Sequence, residues 1–256
     1  MSSVILLFFG MLASNCDFQQ NTAQANTTSM ASHESLSEPG APIDHSSWDM
    51  LLKRHVDIHG NVDYKNFHKD KQPLTDYLEY LAQHVPDPIS GKNELLAYYI
   101  NLYNAGTVKL ILDNYPTKSI KDINSPWSRK WIKVGDQMLS LGHIEHKILR
   151  KMNEPRIHFA INCASFSCPK LLNIAFTSAN TQALLEQASK DFINDPTRNK
   201  ITKDRLELSN IFKWYKKDFR VGGSLRTYID QFSTVNVAPN AKIKYLKYDW
   251  SLNEKK

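Results

Sequence analysis

The sequence has few cysteines and no long apolar run, and each absence excludes a class of protein. Three cysteines in 256 residues are too few for a small domain held together by disulfides. The longest apolar run, residues 4–13, is about half of the roughly 20 residues that a membrane-spanning helix needs, which excludes a polytopic membrane protein. The sequence also lacks a glycine-rich phosphate loop, a dinucleotide-binding fingerprint and a nucleophile elbow. These absences argue against nucleotide-dependent chemistry.

The composition that remains is that of an ordinary globular protein. Hydrophobic residues make up 41% and charged residues 23% of the chain, which excludes collagen-like, coiled-coil and wholly disordered proteins. The length allows one large domain or two modest ones.

The N-terminus has the pattern of an export signal. Residues 1–15 are predicted to form a signal peptide, because the apolar segment has the length of a signal-peptide h-region and is followed by small residues, as cleavage requires. Cys16 occupies the position of the lipidated cysteine in a bacterial lipoprotein signal, although Ala13 and Asn15 depart from the usual lipobox. Three outcomes stay open: lipidation at Cys16, simple secretion, and an uncleaved anchor. The predicted location is the periplasm or a membrane to which Cys16 anchors the protein.

Residues 16–47 are predicted to form a flexible linker. They are rich in Ser, Thr, Asn, Gln and Ala and have almost no aliphatic periodicity, a composition that cannot offset the entropy of ordering. A chain that begins near Ser46 is therefore expected to keep the melting temperature of the full mature chain.

Positive charge is concentrated after the linker. All 32 Lys and Arg residues lie after residue 47, together with 22 of the 26 acidic residues, which gives that part a formal charge of +10. A basic surface attracts anionic polymers and membranes alike. For an exported protein, an anionic membrane or envelope surface is the predicted partner, and nucleic acid is disfavoured.

Residues 48–256 are predicted to form a single globular domain of the α+β class, rich in helix and with a small mixed sheet. The apolar spacing predicts helices over 48–56, 74–81, 92–114, 141–152, 178–193 and 209–219. Ser46 or Ser47 is expected to cap the first of these helices, and Ser140 the helix over 141–152. It predicts hairpins over 131–140 and 200–208 and single strands over 156–162 and 242–250.

The segment 156–169 concentrates groups that can carry chemistry. Strict alternation over 156–162 predicts a strand with Arg156, His158 and Asn162 on its polar face, and Cys163 and Cys168 follow that strand. Side chains at a strand end are aimed by the strand while the adjoining loop stays accessible. We therefore expect the candidate site here, with His146 and His158 close to the cysteine loop.

A cysteine-histidine hydrolase or transferase, acting on amide or ester bonds in the cell envelope, is the sharper functional hypothesis. A cysteine becomes a nucleophile when a neighbouring imidazole stabilises its thiolate and a third group orients that imidazole. The nucleophile would be Cys163 or Cys168, the base His146 or His158, and the orienting group Glu145, Asn101 or Asp218. Pro169 constrains Cys168, so Cys163 is the better nucleophile.

Structural roles for the same residues are the alternative. Cys163 and Cys168 could form a short-loop disulfide in a non-catalytic binding or scaffold domain. Asn101 and Asn104, three apart on one helix, are expected to be buried amides, and Trp214, Tyr215 and Trp250 are expected to be core residues. A zinc site built from His143, His146, Cys163 and Cys168 is disfavoured because the two cysteines are spaced more widely than in a zinc knuckle. No metal and no cofactor are predicted.

Several separated motifs, in one order, resemble those of the domain-of-unknown-function family numbered 547. The motifs are Asn101-Leu102-Tyr103-Asn104-Ala105, Ile144 to Arg150, Arg156 to Pro169, Phe212 to Phe219 and Tyr248 to Asn253. The resemblance covers about Trp48 to Asn253 and implies a set of positions rather than a reaction: Asn101, Asn104, Glu145, His146, Arg150, Arg156, His158, Cys163, Cys168, Pro169, Trp214 and Asp218. His143 stands where the family usually has an acidic residue, which weakens the zinc alternative further. The family's occurrence beside protein-interaction segments favours the binding or scaffold alternative.

Overall fold

The computed structural model describes residues 42–220 and 222–256. The predicted signal peptide, Cys16 and residues 16–41 of the predicted linker lie outside the described residues. Within these two ranges, no helix has both the length and the apolar character that crossing a membrane requires.

One long helix forms the centre of the fold. This helix, α4 (Lys92–Asp113), is apolar on nearly every side, and most of its side chains are buried. A helix that is hydrophobic all round must be covered by other elements, and α3 (Lys71–Gln83) and α7 (Thr181–Asn194) pack against it. A further helix, α1 (Ser46–His55), packs on α3. These four helices lie close to the predicted positions.

The other helices are short, and several follow one another directly. They are α2 (Tyr64–Phe67), α5 (Leu141–His143), α6 (Ile157–Ala160), α8 (Ile211–Trp214) and α9 (Leu225–Asp230). Single 3-10 turns cover His68–Asp70, Ile120–Asp122, Leu149–Met152 and Asp218–Arg220. The helix predicted over 141–152 consists of α5, a π-helical turn (Ile144–Ile148) and a 3-10 turn. As predicted, Ser140 caps it, accepting a hydrogen bond from the backbone N–H of His143.

The strands form two small sheets. The hairpin β1 (Ile132–Val134) and β2 (Gln137–Leu139) pairs Ile132 with Leu139. A three-stranded sheet contains β3 (Lys200–Ile201), β4 (Arg205–Leu208) and β5 (Lys242–Tyr245). β3 and β4 are antiparallel, whereas β4 and β5 are parallel. The predicted class, a helix-rich α+β domain with a small mixed sheet, is confirmed.

Two apolar clusters share the described part of the chain. The first is built around α1, α3, α4 and the β1–β2 hairpin. The second is built around α7, α8, α9 and the three-stranded sheet. The short helix α6 joins them, because Ile157 belongs to the first cluster and Phe159 to the second.

The strand predicted over 156–162 is wrong. Its middle forms α6, with the N–H of Ile161 donating to the carbonyl of Ile157 over 3.0 Å. All four residues of α6 are buried, including His158. A segment buried on every side has no polar face, so the alternation carried no information about its secondary structure. Pro155 lies two residues before α6, and its carbonyl accepts the N–H of His158 at 3.2 Å.

Smaller differences occur elsewhere. The helix predicted over 209–219 is regular only in α8, and the strand predicted over 242–250 ends at Tyr245. The prediction missed α9, which has only six residues and is too short for a helical period to stand out. The capping role assigned to Ser46 or Ser47 is also wrong, because α1 begins after His45 and has no side-chain cap.

The folded domain begins before the predicted boundary at residue 48. The backbone N–H of Ile43 donates to Glu94 over 2.7 Å, and the Ile43 side chain packs on the first apolar cluster. His45 is 3% exposed, and its Nδ1 hydrogen-bonds the hydroxyl of Tyr77 at 2.7 Å. These contacts reverse the expectation that residues up to 47 contribute nothing to stability.

We therefore expect a chain that begins at Ser46 to be less stable than one that begins at Pro42. The loss of the partly buried Ile43 and of the bond from His45 to Tyr77 should lower the free energy of unfolding by about 2 kcal/mol. For a domain of this size, that loss corresponds to a melting temperature lower by about 4–8 °C. Differential scanning calorimetry of the two chains measures it, and equal melting temperatures would contradict the packing of residues 43–45.

Candidate active site

A cavity of about 310 Å³ opens where the two apolar clusters meet. This volume lies at the lower end of the range for small-molecule sites, roughly 300–1,000 Å³. Aromatic rings form most of the wall, and both cysteines of the described chain reach it. The lining residues are Tyr103, Trp127, Glu145, His146, His158, Ile161, Cys163, Cys168, Pro169, Ile211, Trp214, Tyr215, Tyr248 and Trp250.

Two buried asparagines position the cysteine loop. Asn104, on α4, donates to the carbonyl of Ala160 at 3.0 Å and accepts from the N–H of Asn162 at 2.8 Å. The side chain of Asn162 then spans the loop, donating to the carbonyl of Pro169 and accepting from the N–H of Ala164. Asn104 thus fixes the backbone before Cys163, and Asn162 ties the two ends of the loop together.

The C-terminal segment 248–253 closes the loop from the other side. The N–H of Phe166 donates to the carbonyl of Ser251 at 2.7 Å, and Ser167 and Asp249 exchange two hydrogen bonds. This pairing is why the final strand ends early. It carries Tyr248 and Trp250 to the cavity wall.

The thiol of Cys163 is surrounded by groups that can donate hydrogen bonds. Its Sγ lies 2.8 Å from Sγ of Cys168, 3.2 Å from Oγ of Ser165 and 3.4 Å from the hydroxyl of Tyr248. Hydrogen bonds from these groups, that of Cys168 foremost, lower the pKa of the Cys163 thiol despite its burial. Cys163 is half-buried. It therefore has the lowered pKa and the partial exposure of a reactive cysteine.

Cys168 has the opposite character. It is buried, and burial together with the adjacent Cys163 raises its pKa well above the ordinary value. Its Sγ accepts the backbone N–H of Cys163 at 2.9 Å. Both cysteines are free thiols here, but their sulfurs would need to move by less than about 1 Å to reach disulfide length. The predicted disulfide alternative therefore stays open.

His158, Asp218 and Arg150 form a hydrogen-bonded chain. Nε2 of His158 lies 2.8 Å from Oδ2 of Asp218, and Arg150 donates two bonds to the same carboxylate, at 2.6 and 2.8 Å. Burial raises the pKa of Asp218, but the bonds from Arg150 and His158 outweigh it and hold that pKa below its usual range. Burial lowers the pKa of His158, so its imidazole is neutral at pH 7.

This arrangement fixes the tautomer of His158. An ionised carboxylate only accepts hydrogen bonds, so Nε2 carries the proton and Nδ1 has the free lone pair. Among the described residues, nothing hydrogen-bonds Nδ1, which is buried. The ring of Tyr215 stacks on the imidazole with centroids 3.9 Å apart. His158 is therefore held in the form that accepts a proton.

Glu145 and His146 reach the cavity from the π-helical turn. Such turns widen a helix locally and occur often at functional sites. Glu145 is 5% exposed, whereas the side chain of His146 is about half exposed. Within residues 42–220 and 222–256, neither His146 nor His158 hydrogen-bonds a cysteine sulfur, although all four residues line the same cavity. The direct cysteine-histidine bond of the sequence hypothesis is thus not formed in this structure.

Other predicted residues have structural roles. Asn101 exchanges two hydrogen bonds with the backbone of Phe176, and like Asn104 it does not line the cavity. Arg156 pairs with Glu154 at 2.7 Å, also away from the cavity. His143 does not line the cavity either, and no group of three or more His, Cys, Asp or Glu side chains in the described chain is arranged to hold a metal ion.

Several residues of the site are not predictable from the sequence. No pattern assigns a role to Ser165 or Tyr248, and the spacing of Trp214, Tyr215 and Trp250 predicts core positions. All three of those aromatic residues line the cavity, and Trp214 is 46% exposed. The one sequence feature that indicates a role for Tyr248 and Trp250 is their position in a motif that resembles the family's. The spacing of aromatic residues along the chain does not predict which side of each ring is buried.

The sulfur environment predicts how fast each cysteine is labelled. Iodoacetamide at pH 6.5 should alkylate Cys163 faster than Cys168, and Tyr248→Phe should slow that alkylation about tenfold, since one hydrogen bond to a thiolate is worth about one pKa unit. Tyr245→Phe, which removes a hydroxyl outside the cavity, is the matched control. Peptide mass spectrometry measures both rates. Two thiols that react only after reduction would support the disulfide instead.

The carboxylate of Asp218 should stabilise the fold. Asp218→Asn is expected to lower the free energy of unfolding at pH 7 by about 3 kcal/mol, because Arg150 and His158 lose a shared anion. A carboxylate with a lowered pKa stabilises above its unfolded pKa, near 3.9, and loses that effect as pH falls through its folded pKa. Urea titrations should therefore show a difference that is full at pH 7 and shrinks below about pH 4. The exposed Asp122→Asn is the control, and an equal loss there would contradict the assignment.

Comparison with known proteins bears on the predicted family. No curated protein and no solved structure matches the chain. A family model described as "Protein of unknown function, DUF547" matches residues 86–193, which include α4, the π-helical turn and the cysteine loop. The motifs around Trp214 and Tyr248 lie beyond the matched residues. The match confirms the resemblance that the motifs indicated: residues 86–193 of this chain are similar to the domain-of-unknown-function family 547.

Proposed function

We propose that the protein is an exported thiol-dependent hydrolase or transferase that acts on amide or ester bonds in the cell envelope, with Cys163 as its nucleophile. The observation that carries the proposal is the environment of Cys163 Sγ. This half-buried sulfur faces a cavity of small-molecule size and has three potential donors, Cys168, Ser165 and Tyr248, within 3.4 Å. A purely structural cysteine has no need of such donors, whereas a nucleophile needs its thiolate stabilised.

The reaction would proceed in two halves. The Cys163 thiolate attacks the carbonyl carbon, a C–S bond forms, and the C–N or C–O bond of the substrate breaks as the leaving group takes up a proton. Water or an acceptor nucleophile then attacks the thioester, and the thiolate leaves. The products are a carboxylic acid or a transferred acyl group, so no oxidant, reductant or cofactor is consumed.

His158 is the better of the two histidines for holding the proton. Its Nε2 is fixed by Asp218, its Nδ1 is free to accept, and burial keeps it neutral at pH 7. This is the general-base form of an imidazole oriented by a carboxylate. Arg150 hydrogen-bonds Asp218 and not His158, so Arg150 and Asp218 are positioning residues. His146 is half exposed, and its Nδ1 lies 3.4 Å from a guanidinium nitrogen of Arg150 and 3.6 Å from Oε1 of Glu145, so no carboxylate holds it at hydrogen-bonding distance in the described chain.

The binding or scaffold domain is the second candidate, because the sulfur separation of 2.8 Å also favours a disulfide. A thiol count under non-reducing conditions separates the two candidates. The enzyme requires Cys163 to carry a free thiol, whereas in the disulfide-braced domain neither Cys163 nor Cys168 is free; peptide mapping distinguishes both from Cys16. The test must use protein isolated from the compartment to which it is exported.

Export and attachment are part of the proposal and need their own test. The apolar run at 4–13 and the position of Cys16 support them. Cell fractionation of the full chain, with Cys16→Ser as the variant, distinguishes a lipid-anchored protein from a secreted one. An anionic envelope surface is the partner that the excess of Lys and Arg after residue 47 favours.

The proposed chemistry predicts a covalent intermediate. A panel of small chromogenic esters and thioesters should acylate Cys163 of the reduced full chain, and intact-mass spectrometry should show one added acyl group. Cys163→Ala should abolish the adduct, whereas Cys168→Ala should still form it, but more slowly, because the foremost hydrogen bond to the Cys163 sulfur is lost. His158→Gln should slow acylation by about 10²–10⁴-fold, the usual contribution of a general base. Adducts distributed over lysines, with Cys163 unmodified, would overturn the proposal.

A further inference from the structure

The cavity contains one buried acidic group that the proposed reaction does not use. Glu145 is 5% exposed and lines the cavity, and no hydrogen-bond partner of its Oε1 occurs in the described chain. Nδ1 of His146 lies 3.6 Å from that oxygen, which is beyond hydrogen-bonding distance. A buried carboxylate oxygen without a partner is costly, so a group that satisfies it would bind favourably.

No Lys or Arg in the described chain donates a hydrogen bond to Glu145. Of the residues that line the cavity in the described ranges, none is Lys or Arg. Arg150 lies close enough to interact with Glu145, but two of its guanidinium nitrogens donate to Asp218. The hydroxyl of Tyr215 is near enough to hydrogen-bond the Glu145 carboxylate, which still leaves Oε1 without a partner among the described residues. Within those residues, Glu145 is the one acidic side chain that lines the cavity.

The remaining wall is suited to the same kind of ligand. Trp127 and Trp250 pack edge to face at 5.7 Å, and Trp214 stacks on Trp250 at the same distance. Tyr248 packs against both Trp214 and Trp250, at 4.8 and 4.5 Å. The faces of such rings attract cations. Lys121 already lies over the ring of Trp250, 5.5 Å from its centroid.

We infer that the cavity recognises a protonated amine, with Glu145 as its anionic partner and the aromatic rings as its walls. The inference rests on the proposed function, for which it names the substrate class: a small amide or ester that carries an ammonium group near the bond that Cys163 attacks. Glu145 acts by binding and leaves the covalent steps unchanged. A carboxylate and an aromatic wall together recognise a cation more selectively than either does alone.

A binding measurement tests this inference without depending on the reaction. Benzylammonium and its neutral counterpart benzyl alcohol, which react with no thiol, are titrated into the reduced full chain at pH 7, with tryptophan fluorescence as the readout. We expect benzylammonium to bind at least tenfold more tightly than benzyl alcohol. Glu145→Gln, which keeps the shape of the side chain, should reduce the ratio of the two affinities to about one. Glu79→Gln, at an exposed position, is the matched control and should leave the ratio unchanged.

The possible outcomes separate this inference from the proposed function. Equal affinities for the two ligands in the wild-type protein would overturn the cation inference, whatever Cys163 does. A preference for benzylammonium that survives in Glu145→Gln would also overturn it, because another group would then hold the ammonium. If the preference is found but esters never acylate Cys163, the amine site stands as that of a binding domain. Equal thermal melting of wild type and Glu145→Gln excludes misfolding as the cause of a lost preference.

A matched substrate pair then connects binding with the reaction. Thioesters of 4-(aminomethyl)benzoic acid and of 4-ethylbenzoic acid differ only by an ammonium in place of a methyl group. The wild-type protein should acylate at least tenfold faster, in kcat/KM, with the first. Glu145→Gln should lower the ratio of the two rates to about one. A ratio that stays near its wild-type value in Glu145→Gln would overturn the assignment of Glu145 to ammonium binding.

Discussion

The site depends on the amide of Asn104, which holds the backbone on either side of Ile161 from the middle of the central helix. Because α4 is buried nearly all round, this amide is as rigid as the core itself. The side chain of Asn162 then connects the start of the cysteine loop to its end, because it donates a hydrogen bond to the carbonyl of Pro169. Amide side chains both donate and accept, so two asparagines satisfy four backbone groups that the irregular loop would otherwise bury unpaired. The sulfur positions follow from this arrangement.

Charge in the site is divided between two carboxylates with different surroundings. Asp218 is fully engaged, because Arg150 and His158 donate to it, and it fixes the orientation of His158. Glu145 lines the cavity and has an oxygen without a partner in the described chain. One carboxylate is therefore bound internally, whereas the other keeps an oxygen that a ligand could satisfy. The difference arises from the guanidinium of Arg150, which is aimed at only one of them.

Long periodic elements and their caps could be predicted from the sequence, whereas short buried segments could not. The helix over 92–113 and the cap at Ser140 follow from local chemistry and match the prediction. Residues 157–160 form a helix, although the alternation of polar and apolar residues predicts a strand. All four residues are buried, so the segment lacks the exposed polar face that this prediction requires. His45 lies in a polar segment of the sequence, yet it is buried and forms a hydrogen bond with the hydroxyl of Tyr77, 32 residues away.

The candidate site divides in the same way. The cavity is lined by four residues that the sequence singles out by their chemistry, because thiols, imidazoles and carboxylates are distinctive groups: Cys163, His146, His158 and Glu145. Asp218 hydrogen-bonds one of them, His158. Asn101, predicted beside them, has a structural role, because its amide bonds the backbone of Phe176. Ser165 and Tyr248 could not be assigned, because the contact between them joins residues 83 positions apart. Only the folded chain reveals which hydroxyl meets which sulfur.

The pairing of residues 248–253 with the cysteine loop has a consequence for the order in which the protein is made. Tyr248 and Trp250 are synthesised some eighty residues after the cysteines that they adjoin. Until then, the growing chain holds both thiols without the hydroxyl of Tyr248, which is one of the groups that lower the pKa of Cys163. The hydrogen-bonded surroundings of the Cys163 sulfur are thus completed only after residue 248 has been made.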